Sequence, residues 1–188
     1  MSIQELITKN RSYRRFYEDE KISVSQLKSW INLARLSPSA RNIQSLRYKL
    51  VNDSFVNKQI FPLLKWAGYL KDWNGPVEGE RPSAYIIVLN DENVSNNYYC
   101  DDGLATQSIM LGAVADGFGG CIIAAIDRPQ LRQVLNIPEH YKIIHLLALG
   151  KPKETVVIEE ISDNNIQYWR DKKHHHHVPK RKLNDLII

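Results

Sequence analysis

Cysteine is scarce in this chain: its 188 residues include only Cys100 and Cys121, which stand in no CxxC pair or zinc-ligand spacing. A disulfide framework and a structural metal site are therefore not indicated, and we expect two buried, reduced cysteines. Long hydrophobic runs are also missing, since no window holds the roughly 18 consecutive apolar residues of a membrane span. The polar start at residues 1–5 lacks the pattern of a signal peptide. We therefore expect a cytoplasmic protein without a membrane partner.

Motifs for side-chain catalysis or dinucleotide binding are absent as well. The glycines at 117, 119 and 120 follow a predicted helix and precede a predicted strand. A dinucleotide-binding GxGxxG has the reverse order, strand before helix. Neither a Walker A sequence nor a GxSxG nucleophile motif occurs. The protein therefore either binds a ligand without catalysis or relies on a cofactor for its chemistry.

Histidine offers no better candidate for a catalytic or metal site. His140 and His145 lie beside and within a core strand pattern, where hydrogen-bonded structural histidines are expected. The histidines at 174–177 look like an expression tag, but Val178 and a basic segment follow them. We interpret them as native sequence and expect no functional metal site.

Charge is unevenly distributed along a chain whose composition, 43% hydrophobic and 24% charged, fits one globular domain over residues 1–188. Residues 11–15 carry three arginines, and residues 170–182 carry six basic residues against Asp171, so the remainder is net acidic. A nucleic-acid partner is not expected, because aromatic interleaving and a basic recognition helix are missing. A more specific hypothesis than a nucleic-acid partner is that the two basic segments converge on a small phosphorylated ligand. This hypothesis requires the two ends of the chain to meet.

Hydrophobic periodicity predicts a mixed α+β domain of about four strands flanked by helices. Capping boxes at Ser2 and Ser23 predict two early helices, the second ending near Pro38. Further helices are predicted at 54–66, 101–118 and from Asp127 to about 135, and strands at 46–51, 84–89, 121–126 and 142–149. The helix at 101–118 is apolar on most faces, which indicates a central position or a contact with a partner subunit. The tail from about residue 151 is expected to be extended and largely irregular.

Five short segments occur in a fixed order along the chain. They are Arg11-Ser12-Tyr13-Arg14-Arg15-Phe16, then Pro38-Ser39-Ala40-Arg41-Asn42-Ile43-Gln44, then Asp102–Gln107 leading through Gly117–Ile126, then Gly150-Lys151-Pro152, and finally Lys180-Arg181-Lys182. Together they resemble the signatures of the nitroreductase family of FMN-dependent oxidoreductases. The resemblance implies an α+β fold whose long central helix packs across a homodimer interface, with two FMN sites that each use both subunits.

The resemblance also implies which residues hold the cofactor. Arg11 and Ser12 would bind the phosphate and ribityl end of FMN, joined by basic side chains of 180–182. Guanidinium groups supply the charge-assisted bonds that a phosphate dianion needs. Arg14 would lie beside N1 and the C2 carbonyl of the flavin ring, where a cation stabilises the reduced ring. Pro38, Ser39, Ala40, Asn42 and Gln44 would come from the opposite subunit, and Ile122, Ile123, Ala124 and Ala125 would present strand-end backbone to the ring with an N–H to N5.

The sequence departs from the family pattern in three places. Gln44-Ser45-Leu46 replaces the usual Gln-Pro-Trp, and Ile122-Ile123-Ala124 replaces the Trp-Ile-Gly of many relatives, so the pocket above the ring is expected to differ. Asn10 stands where many relatives have an arginine, which shifts phosphate binding onto Arg11 and the tail.

The sequence thus predicts an FMN-dependent NAD(P)H oxidoreductase with a ping-pong mechanism. Hydride would pass from NADH or NADPH to flavin N5, and a small electrophilic acceptor, nitroaromatic or quinone-like, would then take the electrons in the same cavity. The alternative is a flavin-binding storage or sensing protein without significant turnover. A nucleic-acid binder has the least support.

Overall fold

The computed structural model describes residues 1–188 and contains five α-helices and two β-sheets. The helices are α1 (Ile3–Lys9), α2 (Val24–Leu36), α3 (Ser54–Ile60), α4 (Asp101–Ala115) and α5 (Arg128–Leu135). The strands are β1 (Phe16–Tyr17), β2 (Leu46–Val51), β3 (Ala84–Asp91), β4 (Gly119–Ile123), β5 (Tyr141–Pro152), β6 (Val156–Glu160), β7 (Trp169–Arg170) and β8 (His176–Lys180). The order of elements agrees with the predicted α+β class. None of the helices combines the length and apolarity of a membrane span.

Local sequence signals set the helix starts as predicted. Ser2 and Ser23 each accept a hydrogen bond from the N–H three residues on, and Glu5 and Gln26 return a bond to the cap's own N–H. α3 is shorter than the predicted helix over 54–66. Pro62 has no N–H to donate, so the α-helix gives way to a 3-10 turn at Phe61–Leu63.

α4 ends at Ala115, earlier than the predicted residue 118. Gly117 has a φ of 79°, which takes the chain out of the helix. The N–H groups of Gly117 and Phe118 then donate back to the carbonyls of Val114 and Ala113, at 3.0 and 2.8 Å. These two bonds are those of a glycine-terminated helix end.

The main sheet has five strands, one more than predicted, because β1 is only two residues long. Its order is β1-β5-β3-β2, all pairs are antiparallel, and β4 also pairs with β5. β1 meets β5 at 151–152 and β4 meets it at 146–150, so both lie on the edge of β5 that faces away from β3. β4 and β2 are therefore on opposite edges, separated by three inter-strand spacings, or about 14 Å.

The core covers both faces of this sheet. Every residue of β3 is buried, and alternate residues belong to two clusters. Tyr85, Ile87 and Leu89 pack on one face with side chains of α3 and α5, and Ala84 and Ile86 pack on the other with side chains of α2 and α4.

The structure tests the predictions for one histidine and the two cysteines. His145 is buried and its Nε2 lies 2.8 Å from Thr106 Oγ1, as expected of a structural histidine. Cys121 is buried, but Cys100 is exposed because it caps the start of α4 at the surface. The expectation of two buried cysteines is therefore wrong for Cys100.

The C-terminal tail is not the irregular segment that the sequence predicted. β6, β8 and β7 form a second sheet in that order, with β6 and β8 parallel and β7 and β8 antiparallel. Most of its residues are half-exposed or exposed, so it lacks the hydrophobic alternation that identifies a strand in a sequence. Buried Glu154 and His176 instead connect it to the rest of the chain. The single domain over 1–188 stays a prediction.

Candidate functional site

Ser12 and the start of β4 lie side by side. Ser12 forms a parallel bridge with Gly120, and the Tyr13 N–H donates to the Gly120 carbonyl at 2.9 Å. A Cβ at position 120 would collide with the carbonyl oxygen of Ala148 in β5, so only glycine permits this close pairing. The structure therefore brings the segment 11–15 to the exposed edge of β4.

Arg11 has an unsatisfied donor at this place. Its Nη2 donates to the carbonyl of Ile7 at 2.8 Å, while its Nε is buried and has no hydrogen-bond partner. A buried donor without an acceptor costs about 1–3 kcal/mol. The guanidinium is thus held in place by the end of α1 and retains capacity to bind an anionic group.

The end of β4 alternates between the core and the surface. Ile123 is buried, whereas Ile122 is 54% exposed, and Ala124 and Ala125 after the strand are exposed as well. Ala124 and Ala125 line a groove of about 740 Å³ together with Lys65. The Lys65 N–H donates to the Ala125 carbonyl at 3.0 Å, which fixes Lys65 to the strand end.

Arg14 is held by the C-terminal tail. Its Nη1 donates to the Ser12 carbonyl at 3.1 Å and lies 3.1 Å from His176 Nε2. Its guanidinium sits 4.9 Å from the ring centre of Tyr168. Its backbone N–H donates to the carboxylate of buried Glu154. Sequence reasoning missed Glu154, Tyr168 and His176, because a tail expected to be irregular gives no partner for an arginine.

The basic tail residues are found at the end of the second sheet. Lys180 ends β8, and Arg181 and Lys182 follow it in exposed positions. Lys182 Nζ is 3.7 Å from Glu160 in the tail sheet. No hydrogen bond or ion pair joins these three residues to Arg11 or Ser12. The two basic ends of the chain do meet, but through Arg14 and His176.

The loop 38–44 has an unusual backbone. Arg41, Asn42 and Gln44 have φ values of 53°, 55° and 53°, in the left-handed region that residues other than glycine rarely adopt. Such strain persists only where the surroundings over-determine it, and it concentrates at functional sites.

Asp101 supplies that constraint. Its carboxylate accepts from Ser39 Oγ at 2.6 Å and from the Ala40 N–H at 2.9 Å, and Ser39 Oγ in turn accepts from the Gln44 N–H at 3.0 Å. The sequence pattern identified Asp101 only as the start of a helix. The burial of this carboxylate, which only the structure shows, accompanies its second role as an acceptor for the loop.

Three of the five predicted loop residues, Pro38, Ser39 and Gln44, line a cavity of about 250 Å³. Tyr48 also lines it, and burial together with the nearby Asp101 charge raises the pKa of its hydroxyl to about 12. The phenol is therefore a neutral hydrogen-bonding group at pH 7. Ala40 and Asn42 lie outside this lining, in the 3-10 turn that follows it.

The two groups of predicted site residues do not meet within one chain. The loop 38–44 leads into β2, whereas Ser12 pairs with β4 and Ile122 is part of β4. These strands are the opposite edges of the sheet, about 14 Å apart. The two groups of residues therefore lie on different sides of one protomer.

Comparison with known proteins finds relatives that are named as nitroreductases. A protein of Archaeoglobus fulgidus, provisionally named as an NADH dehydrogenase/NAD(P)H nitroreductase, is 28% identical over 157 residues that cover 79% of this chain and 85% of the relative. The crystal structure of a nitroreductase family protein from Clostridium novyi NT has 25% identity and a TM-score of 0.67, covering 81% of this chain and 88% of its own.

A provisionally named nitroreductase of Exiguobacterium sibiricum, whose structure contains FMN, shares the fold at 21% identity. Its TM-score is 0.67, with 81% of this chain and 89% of that chain covered. The model of the nitroreductase family matches residues 7–151, which include the segment 11–15, the loop 38–44 and β4. The chain therefore belongs to the nitroreductase family.

Proposed function

We propose that this protein is an FMN-dependent oxidoreductase that uses NADH or NADPH to reduce a small electrophilic acceptor, nitroaromatic or quinone-like, by a ping-pong mechanism. Family membership supports an oxidoreductase. The name of the Archaeoglobus fulgidus relative supports a nicotinamide donor, and the Exiguobacterium sibiricum structure supports FMN. When bound, FMN supplies the redox chemistry, accepting hydride at N5 and passing electrons to the acceptor.

One observation carries the proposal: the buried Nε of Arg11 lacks an acceptor beside the exposed edge of β4. A phosphate oxygen would satisfy this donor with a charge-assisted bond. Ser12, one residue on and exposed, adds a hydroxyl at the same edge. We therefore assign the phosphate and ribityl end of FMN to Arg11 and Ser12, with the exposed Lys180, Arg181 and Lys182 as further cations for the phosphate.

The ring would lie along the end of β4. Ile122, Ile123, Ala124 and Ala125 offer backbone groups there, and the two alanines leave room that larger side chains would fill. Arg14 keeps a positive charge at the ring edge, where it favours the reduced state.

The remaining contacts would come from a second copy of the chain. The loop 38–44 leads into β2 and Ser12 pairs with β4, and these strands are the opposite edges of one sheet with three inter-strand spacings, about 14 Å, between them. A homodimer would bring the partner's loop to the Arg11 half of the site, with the Asp101 bonds holding its left-handed backbone. This supplies Pro38, Ser39, Ala40, Asn42 and Gln44 to the pocket.

The visible spectrum of the purified protein, recorded before and after adding NADH or NADPH, tests this function. We expect a yellow protein whose flavin absorption bleaches with the nicotinamide, and mass spectrometry of the released chromophore should give FMN. Steady-state oxidation of NAD(P)H with a quinone or nitroaromatic acceptor separates the enzyme from a flavin store or sensor, which would bind FMN without turnover. Failure to contain or take up FMN would overturn the proposal.

A further inference from the structure

Arg14 belongs to the part of the chain that matches the family, whereas two side chains that contact its guanidinium, those of Tyr168 and His176, lie beyond residue 151. We propose that the C-terminal sheet is a positioning device for the flavin site, in which His176 fixes the guanidinium of Arg14 by accepting its hydrogen bond. This inference rests on the proposed function.

The chemistry of the two groups defines the bond. A guanidinium has donors only, so the 3.1 Å contact between Arg14 Nη1 and His176 Nε2 requires an unprotonated Nε2. The histidine must therefore be neutral, with its proton on Nδ1.

The surroundings of His176 favour that neutral form. The residue is 1% exposed, and burial lowers its pKa to about 4 with further contributions from the charges of Arg14, Arg170 and His177. The face of its ring is also covered, since the Tyr168 ring centre lies 5.1 Å away. At pH 7 the side chain is thus a fixed acceptor.

The bonds leave part of Arg14 open. Both side-chain hydrogen bonds of Arg14, to Ser12 and to His176, use Nη1. Nε and Nη2 therefore stay free for an acceptor on a ligand. The Tyr168 ring lies against the guanidinium and restricts rotation of the Arg14 side chain.

Glu154 anchors the same arrangement at the backbone. Its carboxylate has no exposed surface, accepts the Arg14 N–H and pairs with Arg170 Nη2 at 3.1 Å. Arg170 stacks 4.6 Å from the ring centre of Trp73. The tail thus holds both the main chain and the side chain of Arg14. A sheet that only covered the surface would not need these two polar contacts.

The test compares His176→Leu, which removes the acceptor, with His176→Gln, whose amide oxygen can replace Nε2. His174→Asn is the matched control, because His174 is exposed, contacts neither Arg14 nor His176, and has a left-handed φ of 64° that asparagine tolerates. In the protein without FMN, ¹⁵N NMR should show the Nδ1–H form of His176 at pH 7, and Arg14→Ala should raise the pKa of His176.

With FMN bound at saturation, the midpoint potential is the decisive measurement. His176→Leu should shift it to more negative values, in the direction of Arg14→Ala, and should add nothing further in the Arg14→Ala background. His176→Gln and His174→Asn should stay near the parent value. A parent-like potential in FMN-loaded His176→Leu, or a protonated His176 at pH 7, would overturn the positioning role alone. Absence of FMN binding by the parent protein would overturn the proposed function itself.

Discussion

Arg11 and Arg14 are three residues apart and have different surroundings. The Nε of Arg11 is buried without an acceptor. Arg14 is bonded to His176 in the tail through Nη1, and its Nε and Nη2 make no hydrogen bond. Their replacement should therefore have separable effects on FMN binding and on flavin chemistry.

Arg11→Ala should weaken FMN binding by about one to two decades, because a charge-assisted bond contributes about 1.5–3 kcal/mol. Arg14→Ala should retain most of its FMN but show a lower reduction potential and slower reduction by NAD(P)H. Fluorescence titration with FMN, followed by potentiometry at saturation, measures both effects, and Lys28→Ala on the exposed face of α2 is the control. Equal potentials in Arg14→Ala and the parent would refute the ring-edge role of Arg14.

The free energy of unfolding should depend on pH through His176 between about pH 4 and 6.5 and through Glu80 between about pH 2 and 4.5. The pKa of His176 falls from 6.5 to about 4 on folding, so between these values the unfolded chain binds more protons and the free energy of unfolding rises with pH. The hydrogen bond from Arg15 and the contact with Lys153 lower the pKa of Glu80 from 4.5 to about 2, so its contribution is lost as the pH falls through that lower window.

Urea unfolding at a series of pH values checks this prediction. His145 also has a lowered pKa and contributes in the same direction, so the difference between the parent and His176→Gln isolates His176. We expect the slope between about pH 4 and 6.5 to decrease in His176→Gln, while the loss below about pH 4.5 remains. An unchanged slope between pH 4 and 6.5 would show that His176 titrates normally in the folded protein.

At the scale of elements, the position of β4 depends on close approach to β5. A Cβ at Gly120 would meet the Ala148 carbonyl, whereas a Cβ at Gly68 would meet nothing within 4 Å. Gly120→Ala should therefore destabilise the protein by about 1–3 kcal/mol, as overpacking does. Gly68→Ala should stay within about 0.5 kcal/mol of the parent.

Denaturant unfolding of both variants measures the difference. Gly120→Ala should also weaken FMN binding, because it displaces β4, which contains Ile122 and pairs with Ser12. If Gly120→Ala were as stable as Gly68→Ala, the close packing of β4 on β5 would not be essential.

For the whole molecule, two half-sites on opposite edges of one sheet predict a shared site in a homodimer. Light scattering should give twice the chain mass of 21.7 kDa. Arg11→Ala damages one half and Asn42→Gly the other, the latter without strain because glycine accepts the φ of 55° at this position.

Mixing the two variants, at an FMN concentration that loads the parent but neither variant, tests the sharing directly. A heterodimer would contain one intact site and one doubly damaged site, so random re-association should restore about one quarter of the sites. FMN-dependent NAD(P)H oxidation should return to about that fraction, while each variant mixed with itself stays inactive. No recovery after confirmed subunit exchange would show that both halves act within one protomer.

Features that depend on neighbouring residues could be predicted from the sequence. The capping boxes at Ser2 and Ser23, the strand at 46–51 and the buried strand that begins at Ala84 all occur where local pattern placed them. The ordered segments also sufficed to identify the family, because they combine residue type with spacing over 7–151.

How these segments are arranged in space depends on contacts between distant parts of the chain. No local signal says that Asp101 holds the loop 38–44, or that His176 meets Arg14 across 162 positions of sequence. The tail sheet is held by a few buried polar contacts instead of a hydrophobic stripe, so periodicity could not detect it. The separation of the two half-sites is likewise a property of strand order, which depends on contacts between residues that are distant in the chain.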